Sequence, residues 1–475
     1  MAELISARAR LWLPTLALPH LHAQGARRLN VLFIAVDDLN RQLNCYGNTM
    51  VRSPHIDRLA ARGVRFARAY CQYPLCNPSR TSLLSGRRPE ATRIWDNTTP
   101  PRTYLKDVVF LPEYFHQHGY FTARVGKIAH GRFEDAVAWD VSENPQRSGQ
   151  APPAQGSGQA AQRARRSGQA QPAATQEAGG GVKLSWRATN NRDEDEPDGR
   201  TARRVVQLIE QSQDKPFFIG AGFHKPHLPW VAPKKYFDLY DPGKIVLPPN
   251  PPNDRDDIPR VALTRTAGDE KMTDAERRQA IAAYHAATSF MDAQVGVLLE
   301  ALHRLKLAER TIVILWGDNG FHLYEHELWR KTCLFEESAG VPLIIAAPGK
   351  SAGAVSPRLA EFVDIYPTLA ELCGLPIPPG LEGTSMAPLL EDPQRPWKKA
   401  AFTMTTRGKG VIGRSLRTER YRYTEWGDEK TAELYDHQAD PGEYANLVNA
   451  PKLAGTLAEM RRLMRAGWRG ALPPR

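Results

Sequence analysis

Asn30-Val31-Leu32-Phe33-Ile34-Ala35-Val36, followed at once by Asp37-Asp38, is the stretch that decides the fold. From Val31 to Val36 no polar residue interrupts the run, and it reads as a strand buried on both faces. Thr311-Ile312-Val313-Ile314-Leu315-Trp316 repeats the pattern and ends in Gly317-Asp318-Asn319-Gly320; Val341-Pro342-Leu343-Ile344-Ile345-Ala346 is a third such run. Helical patterns lie between them. Residues 54–62 place Ile56, Leu59 and Ala60 on one face, a second helix is predicted to start near Ser79, and a long one covers about 273–307. Strands alternating with helices predict an α/β fold: a large doubly wound mixed sheet flanked by helices. From about Pro396 the texture changes to short alternating strands at 414–418 and 421–424 and a turn at Asp440-Pro441-Gly442-Glu443. This predicts a smaller C-terminal antiparallel-sheet subdomain with a closing helix. The expected organisation is a tail over 1–27, a main domain over 28–395 and the subdomain over 396–475.

A chain of 475 residues exceeds the usual reach of one hydrophobic core. Lys and Arg number 63 against 52 Asp and Glu, a net +11, which favours an anionic partner or serves solubility alone. No basic helix with interleaved aromatics and no zinc spacing is present, so a nucleic-acid partner is not expected. A small sulfated or phosphorylated substrate fits the charge. Five cysteines, odd in number and widely spaced, imply no disulfide framework. No run approaches the ~18 apolar residues of a membrane span. Arg8 and Arg10 precede the stretch from Leu11 to Leu18, and Leu21-His22-Ala23 could end a cleavage site. That resembles a signal peptide and predicts a periplasmic or secreted protein; the alternative is a frayed tail on a cytoplasmic one. Residues 143–181 carry Ser-Gly-Gln-Ala repeats at Ser148, Ser157 and Ser167 with almost no large apolar residue, the composition of a disordered insertion.

The chemistry gathers at strand ends, where open α/β sheets bind ligands. Asp37 and Asp38 are adjacent carboxylates that repel unless a cation neutralises them; alone, they fit a helix cap and a solvated side chain. Asp318-Asn319 ends a second strand in the same way; alone, it fits a Gly-Asp-Asn-Gly turn. Two such pairs at equivalent strand ends argue for a shared calcium site with oxygen ligands. Cys76-Asn77-Pro78-Ser79-Arg80 is a compact cysteine unit that could equally be a free thiol opening a turn. Gly126-Lys127-Ile128-Ala129-His130, the loop His224-Lys225-Pro226-His227-Leu228-Pro229, and Lys331 add cations and imidazoles. Each alone is more often a solvated surface group. Together with Arg80 they would surround a sulfate leaving group with positive charge.

Taken in order, Phe33 to Asp38, Ser53-Pro54-His55-Ile56-Asp57, Cys76 to Arg80, Gly126-Lys127, His224 to His227, Gly317 to Gly320 and Tyr421-Arg422-Tyr423 resemble the type I sulfatases. The chain looks closest to the iduronate-2-sulfatase branch through Val36-Asp37-Asp38-Leu39, Gly86-Arg87-Arg88-Pro89 and the His224 loop. The resemblance covers roughly residues 28 to 450 outside the insertion. It implies that a formylglycine-generating enzyme converts Cys76 to formylglycine (3-oxoalanine), whose hydrate is the nucleophile. Asp37, Asp38, Asp318, Asn319 and the modified Cys76 would bind one Ca2+. Arg80 would hold the hydrate, and Lys127 and Lys331 the sulfate oxygens, with His224 and Lys225 on the substrate side. His130 would be the base, and His224 would protonate the leaving alcohol. The branch has histidine where this chain has Asn319, which keeps the metal site but loosens the substrate assignment. The implied substrate is a sulfated carbohydrate, for example a 2-O-sulfated uronate of a glycosaminoglycan. A phosphonate monoester or phosphodiester hydrolase on the same scaffold is the alternative; the intact set of acids, lysines and histidines counts against a binding-only relative.

Overall fold

The structure is a computed structural model that describes residues 28–145, 184–264, 271–408 and 410–474. The signal-like segment 1–27 and the insertion, apart from its first residues 143–145, lie outside the described residues.

Among the described residues, nine strands form one mixed sheet. The strand Asn30–Val36 lies between Phe217–Phe223 and Thr311–Gly317, parallel to both, with Ala35 opposite Gly222 and Trp316. Phe121–Gly126 continues the parallel set beside Phe217–Phe223. Leu343–Ala346 runs antiparallel to Thr311–Gly317 and pairs with Val64–Tyr70, which Ala354–Glu361 joins in parallel. The apolar run 341–346 is thus two strands, not one: Gly340–Val341 and Leu343–Ala346 break at Pro342. Proline has no N–H for a ladder, and the Pro342 carbonyl accepts from Gly317 N at 3.3 Å.

The central strand shows why an unbroken apolar run was needed. Val31, Phe33 and Ala35 face one core with Leu83, Leu84 and Tyr366, while Leu32, Ile34 and Val36 face the other with Ile56, Leu59 and Val205. Alternate side chains point to opposite faces, and helices cover both. The helix Pro54–Arg62 lies where its periodicity predicts. The long helix Asp274–Arg304 opens on a capping box, Glu276 N donating to Thr273 Oγ1 at 3.3 Å and Thr273 N to the Glu276 carboxylate at 2.7 Å.

The C-terminal region is a four-stranded antiparallel sheet, Ala401–Arg407, Val411–Arg417, Tyr421–Trp426 and Asp428–Asp436, with the helix Ala454–Gly470. Leu416, Tyr423 and Leu434 of the sheet pack on Met460 and Leu463 of the helix. No helix of the described residues is long and apolar enough to cross a membrane.

Candidate active site

Four parallel strands end side by side, and the residue after each is polar: Asp37, Lys127, His224 and Asp318. The sheet therefore assembles the site by register alone. Asp318 N donates to the Val36 carbonyl at 3.0 Å, and Asp38, left-handed with φ 57°, turns its own N–H onto Asp318 Oδ1 at 3.0 Å. Gly126, with φ 83°, admits no side chain before Lys127, because a Cβ there would lie 2.0 Å from the Gly222 carbonyl oxygen.

The helix Cys76–Ser85 starts at the cysteine itself, three residues earlier than its sequence predicts. Pro78 falls in the first turn, where its missing N–H costs no helical hydrogen bond. Cys76 is wholly buried, with Sγ 3.4 Å from Asp37 Oδ1 and 3.1 Å from the Lys331 ammonium. Arg80, one turn on, is also wholly buried. Its Nε meets Asp318 Oδ2 at 2.7 Å, Nη1 donates to the carbonyls of Lys127 and Ile128 at 2.7 and 3.1 Å, and Nη2 lies 3.5 Å from Asp37 Oδ1. Lys127 Nζ reaches Asp37 Oδ2 at 2.7 Å, and Lys331 pairs with Asp38 Oδ1. His224 Nδ1 is 3.4 Å from Asp37 Oδ2.

The structure thus joins Asp37, Asp38, Cys76, Arg80, Lys127, His224, Asp318, Asn319 and Lys331 in one contact network. His130 is buried three residues beyond Lys127, its ring 6.2 Å from that of Phe133. Lys225, expected on the substrate side, is held by its own loop. Its ammonium donates to the carbonyls of His227 and Pro229 at 3.2 and 2.7 Å and so braces the loop.

Sequence reasoning assigns His227 no individual role and misses two further participants, Asp198 and Glu134. His227 Nε2 stands 3.8 Å from Asp38 Oδ2, and its ring lies 4.7 Å from that of His224; a second imidazole in the same proline-stiffened loop was the available signal. Asp198 accepts the backbone N–H of His224 and Lys225 at 2.9 and 2.8 Å. Glu134 accepts those of Ile128 and Ala129, both at 3.0 Å, and so shapes the turn between Lys127 and His130. Nothing local marks the last two, because their partners are backbone groups.

Burial alone would raise the Asp37 carboxyl, but Lys127, His227, His224 and Arg80 outweigh it and hold it well below the usual range. At Asp318 burial wins over Arg80 and the pKa is raised. Burial, reinforced by Asp318, also pushes the Cys76 thiol well above its ordinary value despite Lys127 and Lys331. An unmodified Cys76 is therefore a neutral thiol and a poor nucleophile. Burial opposes the charge on Lys331, yet Asp38, with Asp37 and Asp318, raises its pKa well above normal. Burial, with Lys225, depresses His224 to about 3 against the pull of Asp37, leaving a neutral imidazole.

The donor set suits a hard divalent cation. Ligand atoms of Asp37, Asp38, Cys76 and His227 lie within 4.8 Å of one another. Asn319 Nδ2 donates to Asp38 Oδ1 and the Gly320 carbonyl at 2.8 and 2.9 Å, while its own Oδ1, buried, accepts no hydrogen bond. A buried carbonyl oxygen without a donor, beside three carboxylates, is what a cation would satisfy.

Comparison with known proteins agrees with this arrangement. Residues 29–375 match the Sulfatase family model, and 324–467 match that of the N-sulphoglucosamine sulphohydrolase C-terminal region. A sulfatase of Formosa agariphila is 32% identical over 452 residues, covering 92% of this chain and 86% of its own. The iduronate 2-sulfatase of Homo sapiens is 30% identical over 510 aligned positions, covering 89% and 91%. A solved phosphonate monoester hydrolase of Agrobacterium radiobacter shares the fold at a TM-score of 0.76 and 22% identity, covering 93% of this chain and 96% of that one. With most of its length matched by the family model and by these relatives, the chain belongs to the sulfatase family.

Proposed function

We propose that the protein hydrolyses a sulfate ester of a carbohydrate, a 2-O-sulfated uronate of a glycosaminoglycan, using one calcium ion and a Cys76 converted to formylglycine. The observation that carries this reading is the place of Cys76. Its side chain lies between a carboxylate of the candidate metal set and the Lys331 ammonium, at the first residue of a helix. The choice of substrate is supported by the 30% identity to an iduronate 2-sulfatase.

Asp37, Asp38, Asp318 and Asn319, with residue 76, would hold the calcium ion, which supplies charge neutralisation at the sulfate oxygens. The hydrated aldehyde supplies two hydroxyls on one carbon, one to attack sulfur and one whose loss as a carbonyl releases sulfate. The remaining work belongs to the chain's own side chains. Arg80 orients residue 76 from the next helical turn while fixed on Asp318. Lys127 and Lys331 converge from two strand ends and counter the negative charge that otherwise repels a nucleophile. His130 takes the proton of the attacking hydroxyl. His224 is neutral beside Asp37; an anionic ester next to it offsets its burial cost, so it can carry the proton that the leaving alkoxide needs. Lys225 and Asp198 hold its loop in place. A formylglycine-generating enzyme is the implied partner, and the signal-like residues 8–23 support a periplasmic or secreted location.

Two measurements test the reading. The tryptic peptide containing residue 76 should be about 18 Da lighter than its cysteine form, sulfur being exchanged for oxygen with loss of two hydrogens. A panel of sulfated disaccharides should show release from the uronate 2-O position. Fully active protein with intact cysteine would refute the nucleophile, and phosphonate monoesters cleaved as fast as sulfates would move the assignment to the alternative hydrolase.

A further inference from the structure

Lys331 stands between two left-handed residues, Arg330 and Thr332, with φ of 74° and 80°. Left-handed backbone is uncommon for any side chain and least comfortable for a β-branched one such as threonine. Such a conformation persists only where its surroundings impose it. Two hydrogen bonds do so here. Thr332 N donates to the Pro74 carbonyl at 3.1 Å, and the Thr332 carbonyl accepts from Thr405 Oγ1 at 3.3 Å.

Thr405 is wholly buried and belongs to Ala401–Arg407, an edge strand of the C-terminal sheet. The same strand grips the segment leading into Cys76. Thr403 Oγ1 donates to the Cys71 carbonyl at 2.8 Å, Met404 N to the Gln72 carbonyl at 2.9 Å, and Thr406 N to the Tyr73 hydroxyl at 3.0 Å. One strand therefore holds both the approach to the nucleophile and the peptide after Lys331. Arg407 Nη1 donates to Thr405 Oγ1 at 3.4 Å, which occupies an acceptor position of the hydroxyl and leaves its proton for the Thr332 carbonyl.

We propose that Thr405 is a positioning residue for Lys331: through the Thr332 peptide, its hydroxyl sets where the Lys331 ammonium stands against Asp38 and residue 76, and so sets affinity for the sulfate group. The inference rests on the reading above that Lys331 binds sulfate. It also gives the C-terminal sheet a part in substrate binding without a side chain in the site.

The test uses the full chain, 4-nitrophenyl sulfate as the ester, and inorganic sulfate followed by titration calorimetry. Thr405→Val keeps the branching and removes the hydroxyl. It should raise KM and the sulfate Kd about fivefold, the size of one lost neutral hydrogen bond, with a smaller change in kcat. Thr405→Ser should restore both. Should the valine not fold, Thr405→Ala is read in the same way. A lowered Tm with wild-type KM and Kd would overturn the proposal, as would a serine variant no better than valine. Lys331→Ala separates the two levels. If it is impaired while Thr405→Val behaves as wild type, only the positioning role falls; if it binds and turns over normally, the sulfate role of Lys331 falls and the inference with it.

Discussion

At the end of the strand Ala354–Glu361, Glu361 and Asp364 meet Arg88 and Lys398; at the end of the central strand, Asp37, Asp38 and Asp318 meet Arg80, Lys127 and Lys331. Both clusters are buried and both balance acids with bases. In the first, every carboxylate oxygen is used. Arg88 binds Glu361 through two parallel hydrogen bonds of 2.8 Å, Lys398 bridges both acids, and the N–H groups of Phe402, Thr384 and Glu361 supply the rest. In the second, Asn319 Oδ1 has no donor, a thiol faces an ammonium, and two imidazoles lie against each other, tilted by 40°, beside the acids. Buried charge by itself is therefore no mark of function, since a knot whose carboxylate oxygens are all satisfied, with only Arg88 Nε unpartnered, does the work of a fastener. What sets the edge cluster apart is an amide oxygen left without a donor among its acids.

The sharpest way to break this contrast is to damage each cluster and read both activity and stability. Cys76→Ala should lower sulfate-ester turnover by at least about 10³-fold, because it removes the nucleophile, while shifting unfolding by no more than about 1 kcal/mol. Arg88→Ala should do the reverse. It strands Glu361 in the interior and should cost about 3–5 kcal/mol in urea unfolding, with turnover per folded molecule near wild type. A folded but inactive Arg88 variant would place that knot in the machinery and dissolve the distinction.

The sequence made the edge cluster legible and the knot invisible for the same reason. Asp37 and Asp318 each follow an apolar run that reads as a strand, so the strand pattern announces where they stand; Lys127 and His224 follow strands too, but their motifs rather than a strand pattern drew notice. Glu361 ends the strand Ala354–Glu361, but its mixed sequence with Ser356, Pro357 and Arg358 carries no apolar run to announce it; Asp364 and Lys398 lie outside any strand, and Arg88 drew notice only as part of a family motif. The strand split at Pro342 was readable from proline chemistry, yet the apolar run on either side masked it. The helix start at Cys76 lies three residues before the one predicted near Ser79; the first turn tolerates Pro78, so proline does not bar the earlier start. Lys225 could not be told from its neighbours, since whether an ammonium faces a cleft or its own loop depends on a backbone path that composition does not encode. Asp198, Glu134 and Thr405 act on backbone groups of distant segments, which no local pattern reports.

A smaller effect separates the clusters by their response to metal. If the edge cluster holds calcium, titrating the ion should raise Tm, by about 2.7 kcal/mol of stabilisation at a hundredfold excess over Kd. Asp38→Asn and Asn319→Ala should weaken that response because each alters an oxygen donor of the set. Lys398→Met, in the knot, should lower the starting Tm and leave the calcium increment unchanged. An increment that survives both edge substitutions would locate the ion elsewhere.

The mildest difference is in pH. Burial alone would raise the Glu361 pKa, but Arg88 and Lys398 overcome it and hold the group at about 2. A carboxyl depressed in the folded state contributes stability that is present above its unfolded pKa and lost as pH falls through the folded one. The window here runs from about pH 5 down to about pH 2. Asp364, raised by burial in spite of Lys398, works in the opposite sense and cancels part of the change. The pair should therefore account for about 1–2 kcal/mol of the stability lost between pH 6 and pH 3. In Glu361→Gln the baseline is lower, since Arg88 loses its charged partner, but the difference between those two pH values should shrink by that amount. An undiminished difference would mean that acid weakens the fold through other carboxylates, and that the knot's ion pairs are worth less than their geometry suggests.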